Sequence, residues 1–113
     1  MRRRMMKSKI HRATVTGAEL DYAGSISLDT ELMKRADILE FEQVAVLDVD
    51  NGNRFETYAI AGDPGQVQLN GAAARLVDAG HKVIVITYAD YDDAELSPFE
   101  PLVVKVDGEN ACL

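Results

Sequence analysis

The sequence predicts a mainly β fold, arranged as a small closed barrel with short helices, and three observations favour it. Short apolar stretches rich in Val and Ile alternate with turn signals along the chain. The dipeptide Asn51-Gly52 separates two such stretches, and Asn-Gly suits the positive-φ positions of a hairpin turn. The helical signals cover only a few residues each. Several short strands avoid exposed sheet edges when they close into a barrel.

Length and composition favour a single domain over residues 1–113. The chain has 113 residues, 47% of them hydrophobic, so it is too short to divide into several domains and too apolar to stay disordered. The single cysteine, Cys112, excludes an internal disulfide. No apolar run approaches the ~20 residues of a membrane helix, and none follows the basic N-terminus as in a signal peptide. We therefore expect a cytoplasmic protein without a membrane partner.

The charge is spread unevenly along the chain. The net charge is −7, yet residues 1–24 carry +4, so the remainder carries −11. A basic arm could bind nucleic acid, but the acidic remainder would repel the phosphates. We expect the arm to pack against the acidic body or to meet small anions, and we expect no nucleic-acid partner.

The Asn51-Gly52 turn predicts the register of the central hairpin. A two-residue turn would place Val46 opposite Thr57 and Asp48 opposite Phe55. Alternation also turns Asp48 toward the core. It gives one shared apolar face, made of Val44, Val46, Phe55 and Ala59.

Further strands and helices follow from local patterns. In the alternating strand Lys9–Thr16, Ile10 and Ala13 are expected on opposite faces. The apolar runs Lys82–Tyr88 and Leu102–Val106 predict two buried strands. Short helical turns are expected at residues 29–36, where Asp29 is the cap, at 92–96 and, as one alternative, at 71–77.

A metal site is not predicted. The two histidines, His11 and His81, lack neighbouring ligands at the fixed spacings that metal sites use. His81 follows a turn glycine and precedes a strand, so we expect an exposed imidazole.

The dipeptide Gly24-Ser25, before the strand-like stretch Ser25–Leu28, is the least ordinary candidate site. A serine hydroxyl can attack the carbonyl carbon of its preceding peptide bond and form an ester, if the backbone is distorted as glycine allows. Elimination from the ester breaks the chain and leaves dehydroalanine, which hydrolyses to an electrophilic pyruvoyl group. An ordinary Gly-Ser turn is the alternative.

A second candidate is the strand segment Arg54–Tyr58. Arg54 and Tyr58 share one face, about 13 Å apart, and could converge on a small ligand with a guanidinium for a carboxylate and a phenol for proton transfer. Thr57 points to the other face, so a common site needs a bulge or another element or subunit. The alternative is an amphipathic strand with Arg54 and Tyr58 in solvent.

A third candidate is the segment Asn70–Ala74. Small side chains after Asn70-Gly71 let backbone N–H groups approach an anion closely. The alternative is a helix start that packs through small residues.

Five segments carry a family resemblance, because they occur together in one order: Lys7–Thr16, Tyr22–Ser25, Asn51–Arg54, Thr57–Ile60 and Asn70–Ala74. The chain resembles the pyruvoyl-dependent L-aspartate α-decarboxylase (aspartate 1-decarboxylase) family from about Met6 to Val106. The resemblance implies a six-stranded double-psi β-barrel and a homotetramer with active sites between subunits. It also implies conversion of L-aspartate to β-alanine and CO₂ for pantothenate and coenzyme A synthesis.

The resemblance further implies a role for each candidate residue. Cleavage between Gly24 and Ser25 would give fragments 1–24 and 25–113, with a pyruvoyl group from Ser25 as the covalent cofactor and no metal. Aspartate would form a Schiff base with it, and Tyr58 would protonate the carbanion left by CO₂. Substrate contacts are implied for Lys9, Arg54, Thr57, Gly71, Ala72 and Ala73, and supporting positions for His11, Tyr22 and Asn70.

The chain departs from the family pattern in a shorter loop at Gly62–Gln66 and in Arg75, where histidine is frequent. An uncleaved barrel that binds a ligand or a protein is an alternative function, and a nucleic-acid-binding barrel is another. The sequence leaves open whether a maturation factor assists cleavage.

Overall fold

The computed structural model describes residues 1–113 and confirms a mainly β fold with few, short helices. One α-helix, α1, spans Thr30–Arg35, and two 3₁₀ helices span Gly71–Leu76 and Asp93–Leu96. The strands are β1 (Arg2–Thr14), β2 (Gly17–Glu19), β3 (Ser25–Asp29), β4 (Gln43–Asp48), β5 (Arg54–Gly62), β6 (Val67–Asn70), β7 (Lys82–Asp92) and β8 (Leu102–Lys105).

All eight strands belong to one sheet, in the order β2-β6-β3-β5-β4-β7-β1-β8. The end strands β2 and β8 have only three and four residues, which leaves six strands between them. The ends of this six-strand series meet, because the N–H of Thr16, just after β1, donates to the carbonyl of Val67 at the start of β6 (2.8 Å). The fold is therefore consistent with the expected small β-barrel, around a core of 18 buried hydrophobic residues.

The basic N-terminal arm packs against the chain's own acidic residues, as the charge pattern predicts. β1 runs antiparallel to β7 along most of its length. Arg3 Nε lies 2.8 Å from a carboxylate oxygen of Asp93, and Arg4 Nε lies 3.2 Å from one of Asp90. Exposed pairs of this kind add little to the free energy of unfolding, but they neutralise the arm locally.

A bulge in β1 overturns the predicted faces of that strand. Arg12 has a φ of +60°, and the register of β1 against β7 shifts between Ile10 and Ala13. The extra residue turns the strand, so Ile10 and Ala13 both lie in the core, whereas strict alternation predicted opposite faces.

The central hairpin has the predicted turn position but a different register. Val46 pairs with Phe55 instead of Thr57, because the turn is longer than two residues. The N–H of Asp48 donates to the carbonyl of Asn53 (2.8 Å), and Asp48 caps the loop between them with its own carboxylate. The register differs by two residues, so the side chains keep their faces. The predicted apolar face is confirmed, since Val44, Val46 and Ala59 are buried and Phe55 packs against the core.

The helices match the sequence pattern, whereas one strand is less buried than predicted. Asp29 caps α1 by accepting the N–H of Glu31 (2.7 Å), and a capping box starts the 3₁₀ helix Asp93–Leu96. In β8 only Val104 is buried, because this edge strand pairs with β1 alone. No helix of this chain has the length and apolar character to cross a bilayer.

Candidate active site

Ser25, the first residue of β3, has a backbone conformation that side chains rarely tolerate. Its φ is +144°, outside the regions open to residues with a Cβ atom. The residue is nevertheless almost fully buried. Gly24 before it has open space where a Cβ would stand. The predicted dipeptide is thus a strained junction rather than an ordinary Gly-Ser turn.

Asn70, at the end of β6, holds the Ser25 side chain. Ser25 and Asn70 are paired in the antiparallel ladder between β3 and β6. The side-chain amide nitrogen of Asn70 lies 3.0 Å from Ser25 Oγ and 3.0 Å from Ser27 Oγ, so one fully buried amide donates to both hydroxyls. A buried amide left without partners costs about 1–3 kcal/mol. Rotation of the Ser25 side chain would break its hydrogen bond to the buried Asn70 amide, so this arrangement fixes the serine rotamer.

Gly71 brings the start of its 3₁₀ helix against the Gly24–Ser25 peptide. It has a φ of +64°, and a Cβ at this position would lie 2.8 Å from Gly24 Cα and 3.2 Å from the carbonyl oxygen of Tyr22. Only glycine permits this approach. Gly24, Ser25, Asn70 and Gly71 are called the Ser25 cluster below. The helical alternative for this segment is also confirmed, with Ala72 exposed and Ala73 packed against the core.

Tyr58 lies beside Ser25 on the neighbouring strand. Ile26 and Ala59 are paired between β3 and β5 and are both fully buried. Ser25 and Tyr58 each precede one residue of this pair, so they lie on adjacent strands, Ser25 buried and Tyr58 on the outer face of the sheet. Tyr58 is 38% exposed there, which leaves its phenol free to meet a ligand.

The other predicted residues of β5 lie as alternation requires. Arg54 is on the outer face with Tyr58 and forms no ion pair, whereas Thr57 pairs with buried Val44 on the inner face. The strand is regular here, so the conflict between Thr57 and Tyr58 is not removed by a bulge.

Lys9 and His11 are not brought to the Ser25 cluster within one chain. Both lie on the part of β1 that runs beside β7 and β8, whereas the hydrogen bonds to β6 come from Thr16, and no hydrogen bond links either residue to the cluster. The ring Nδ1 of His11 is buried without a partner. Burial, with the charges of Lys9, Arg12 and Lys105, lowers the pKa of His11, which favours the neutral ring.

His81 corrects the prediction of an exposed imidazole. Its Nδ1 lies 2.7 Å from Asp48 Oδ2, and the Asp48 side chain is fully buried, as alternation predicts. This hydrogen bond, aided by the charges of Asp48, Asp50 and Asp78, raises the pKa of His81. Asp50 is close enough to complete a three-ligand group, but it accepts the N–H of Lys82 (2.7 Å). Hydrogen bonds within the protein thus account for all three side chains.

A cavity of about 660 Å³ opens on the outer face between β4, β5 and β7. Arg4, Glu56 and Tyr88 are among its lining residues, and none of the predicted site residues lines it. Two residues that contact predicted site residues were missed from the sequence. Ser27 was detectable, because it shares the face of Ser25, whereas nothing in the sequence indicates the position of Phe41 beside Tyr58.

Comparisons with known proteins identify the family of this chain. The family model described as aspartate decarboxylase matches residues 1–113. An aspartate 1-decarboxylase of Acetivibrio thermocellus is 57% identical over 108 residues, covering 94% of this chain and 86% of that protein. One of Syntrophobacter fumaroxidans is 56% identical over 112 residues (97% and 90%), and one of Clostridium botulinum strain 657 is 56% identical over 108 residues (94% and 85%). The chain belongs to the aspartate decarboxylase family.

Proposed function

We propose that this chain is an aspartate 1-decarboxylase, a carboxy-lyase that converts L-aspartate to β-alanine and CO₂ after cleaving itself between Gly24 and Ser25. The observation that carries the proposal is the φ of +144° at Ser25. This torsion angle describes rotation about the N–Cα bond of Ser25, and it exists only while the Gly24 carbonyl carbon is bonded to the Ser25 nitrogen. Breaking that peptide bond therefore removes the strained torsion altogether.

The residues around Ser25 fit its conversion to a pyruvoyl group. Ser25 Oγ attacks the Gly24 carbonyl carbon, and the C–N bond breaks to give an ester and a free amine. Elimination then removes the Cα proton of residue 25 and breaks its Cβ–Oγ bond, so that Gly24 leaves as a carboxylate and residue 25 becomes dehydroalanine. Hydrolysis then replaces the nitrogen of residue 25 with an oxygen atom from water, which forms the ketone and releases ammonia. Asn70 can only donate to Oγ through its amide nitrogen, so it orients the hydroxyl and leaves the hydroxyl proton free to depart.

The other residues support substrate binding and proton transfer. The pyruvoyl group, once formed, supplies a ketone that takes up the substrate amine and accepts the electrons released with CO₂. Arg54 and Lys9 carry no partner in an ion pair, so both are available for the two substrate carboxylates. Tyr58, on the outer face beside Ser25, donates the proton that replaces CO₂. Backbone N–H groups of Gly71, Ala72 and Ala73 bind the substrate, Thr57 contacts it, and Tyr22 shapes the cleavage loop.

We also propose a cytoplasmic homotetramer with active sites between subunits. The position of Lys9 and His11 on β1, away from the Ser25 cluster, supports this arrangement. A second copy can bring β1 to the outer face of β3 and β5, which one chain does not do.

Intact mass measurement of the purified protein tests the cleavage. We expect two fragments, 1–24 and 25–113, the longer with a blocked N-terminus, and CO₂ release from aspartate. Ser25→Ala should stay intact and inactive. Ser27→Ala is the matched control, because Ser27 shares the Asn70 amide but follows no strained bond, and it should cleave. Active protein that contains only intact chain would refute the proposal, and an intact, inactive wild type would favour a non-enzymatic binding module. Cleavage without added protein would exclude a required maturation factor.

A further inference from the structure

Phe41 has an uncommon backbone conformation for an aromatic residue. Its φ is +72°, and bulky residues in this left-handed region are genuine outliers. Burial of the ring does not compensate for this backbone strain, because the residue is 72% exposed. Neither core packing nor turn chemistry accounts for a phenylalanine here, since glycine or asparagine would adopt this φ with less strain.

The surrounding hydrogen bonds explain how the strained conformation is held. The N–H of Phe41 donates to the carbonyl of Ala59 (2.7 Å), and the N–H of Ala59 donates to the carbonyl of Glu42 (3.0 Å). The carboxylate of Glu42 in turn lies 2.7 Å from Lys7 Nζ and accepts the N–H of Leu39 (2.9 Å). The loop before β4 is therefore fixed on both sides to the backbone of Ala59, the residue that follows Tyr58.

The consequence is a ring contact with Tyr58. The ring centroids of Phe41 and Tyr58 lie 6.3 Å apart with an interplanar angle of 41°, within the range of aromatic pairs. Tyr58 stands on the outer face and is 38% exposed, so few other groups restrict its rotation. We infer that Phe41 is a positioning residue, whose ring restricts Tyr58 to the rotamer that serves the Ser25 site. This inference rests on the proposed function of Tyr58 as the proton donor.

The replacement Phe41→Gly separates positioning from packing. Glycine adopts a φ of +72° without strain, so the melting temperature should stay equal or rise, and self-cleavage should be complete. Since Phe41 acts through Tyr58, kcat should fall by up to about tenfold, the factor that one aromatic contact supplies, with KM nearly unchanged. Phe41→Tyr keeps a ring and should restore kcat. Leu39→Ala is the matched control, because Leu39 lies in the same loop at 71% exposure but offers no ring, and it should behave as wild type.

Two further measurements keep the inference falsifiable. In a Tyr58→Phe background, Phe41→Gly should cause no additional loss of kcat, because Phe41 acts by positioning the Tyr58 hydroxyl, which this background lacks. Side-chain NMR couplings of Tyr58 should report one rotamer in the wild type and averaging in Phe41→Gly, whether or not the protein decarboxylates aspartate. An uncleaved, inactive wild type therefore refutes the proposed function without deciding the positioning. Wild-type kcat and an ordered Tyr58 in Phe41→Gly would overturn the inference, as would a loss of oligomeric state, which would make Phe41 a contact between copies.

Discussion

Gly71 shows how one missing carbon atom joins two segments that lie far apart in the sequence. The absent Cβ lets the start of the 3₁₀ helix Gly71–Leu76 rest on the backbone of Gly24, beside the strained Ser25. Asn70, the preceding residue, donates to Ser25 from the same turn of chain. The two neighbours thus fix the Gly24–Ser25 peptide, one through close approach and the other through a hydrogen bond.

Replacing Gly71 with alanine should therefore slow cleavage. The new Cβ would stand 2.8 Å from Gly24 Cα, and φ would remain in the left-handed region, so the free energy of unfolding should fall by about 1–3 kcal/mol. Intact mass against time after synthesis measures the cleavage rate. Gly108→Ala is the matched control, because open space surrounds that position, and it should cleave like the wild type. Equal rates in both variants would show that Gly71 does not hold the Gly24–Ser25 peptide in place for cleavage.

The loop between β4 and β5 connects a titrating pair with the candidate site. Asp48 accepts the N–H groups of Asp50 and Asn51 with one carboxylate oxygen and contacts His81 with the other. Asn53 donates its side-chain amide to the carbonyl of Leu76 (2.9 Å), at the end of the 3₁₀ helix that starts at Gly71. Arg54 follows directly, so this loop sets its position relative to the Ser25 cluster.

Stability should depend on pH in opposite directions at the two histidines. The hydrogen bond with Asp48 raises the pKa of His81. The contribution of His81 to the free energy of unfolding is therefore fully present below the unfolded pKa of about 6.5, and it is lost as pH rises through the folded pKa. Burial lowers the pKa of His11. The contribution of the neutral His11 ring to the free energy of unfolding is therefore present above the unfolded pKa of about 6.5, and it is lost as pH falls through the folded pKa.

Melting temperatures of His81→Gln and His11→Gln across pH 5 to 9 test both directions. The deficit of His81→Gln relative to wild type should be largest in acid and shrink in base. On acidification, the melting temperature of His11→Gln should rise relative to that of the wild type. Parallel curves for all three proteins would show that neither ring is coupled to folding.

For the whole molecule, the position of Lys9 makes the proposed active site depend on a second copy, because Lys9 is paired with β7 and β8 and has no hydrogen bond to the Ser25 cluster. Lys9 lies on β1 and the Ser25 cluster on β3 and β6, so Lys9→Ala and Ser25→Ala remove groups from different parts of one chain. Each variant alone should be inactive. Coexpressed in equal amounts, they should recover about a quarter of wild-type activity, because that fraction of intersubunit sites receives both intact groups. No recovery in verified mixed oligomers would place Lys9 and Ser25 in the same subunit's site.

The sequence predicts local features of this fold well, because a few side chains decide them. The cap of α1 at Asp29, the turn at Asn51-Gly52 and the inward direction of Asp48 all follow from near neighbours. The hairpin register was wrong by two residues, since the carboxylate of Asp48 enlarges the turn. A distorted Gly-Ser junction is expected from the sequence with the distortion at the glycine, whereas the structure has the positive φ at Ser25.

Contacts between distant segments were beyond local patterns. The approach of Gly71 to Gly24 and the hydrogen bond between His81 and Asp48 depend on how strands are ordered in the sheet. The bulge at Arg12 interrupts an otherwise regular alternation, and no residue type there favours a positive φ. Roles for Lys9 and His11 came from the family resemblance alone, and they remain predictions.

The pairing of β1 has a consequence for the cleaved protein. β1 belongs to the fragment 1–24, yet β7 and β8 flank it on both sides, so the short fragment would stay threaded through the sheet after scission. Once such a protein is melted, its two pieces diffuse apart, and regaining the native form becomes a bimolecular encounter that slows with dilution. Maturation would thus turn a chain that can refold by itself into one that is preserved chiefly by the slowness of its unfolding.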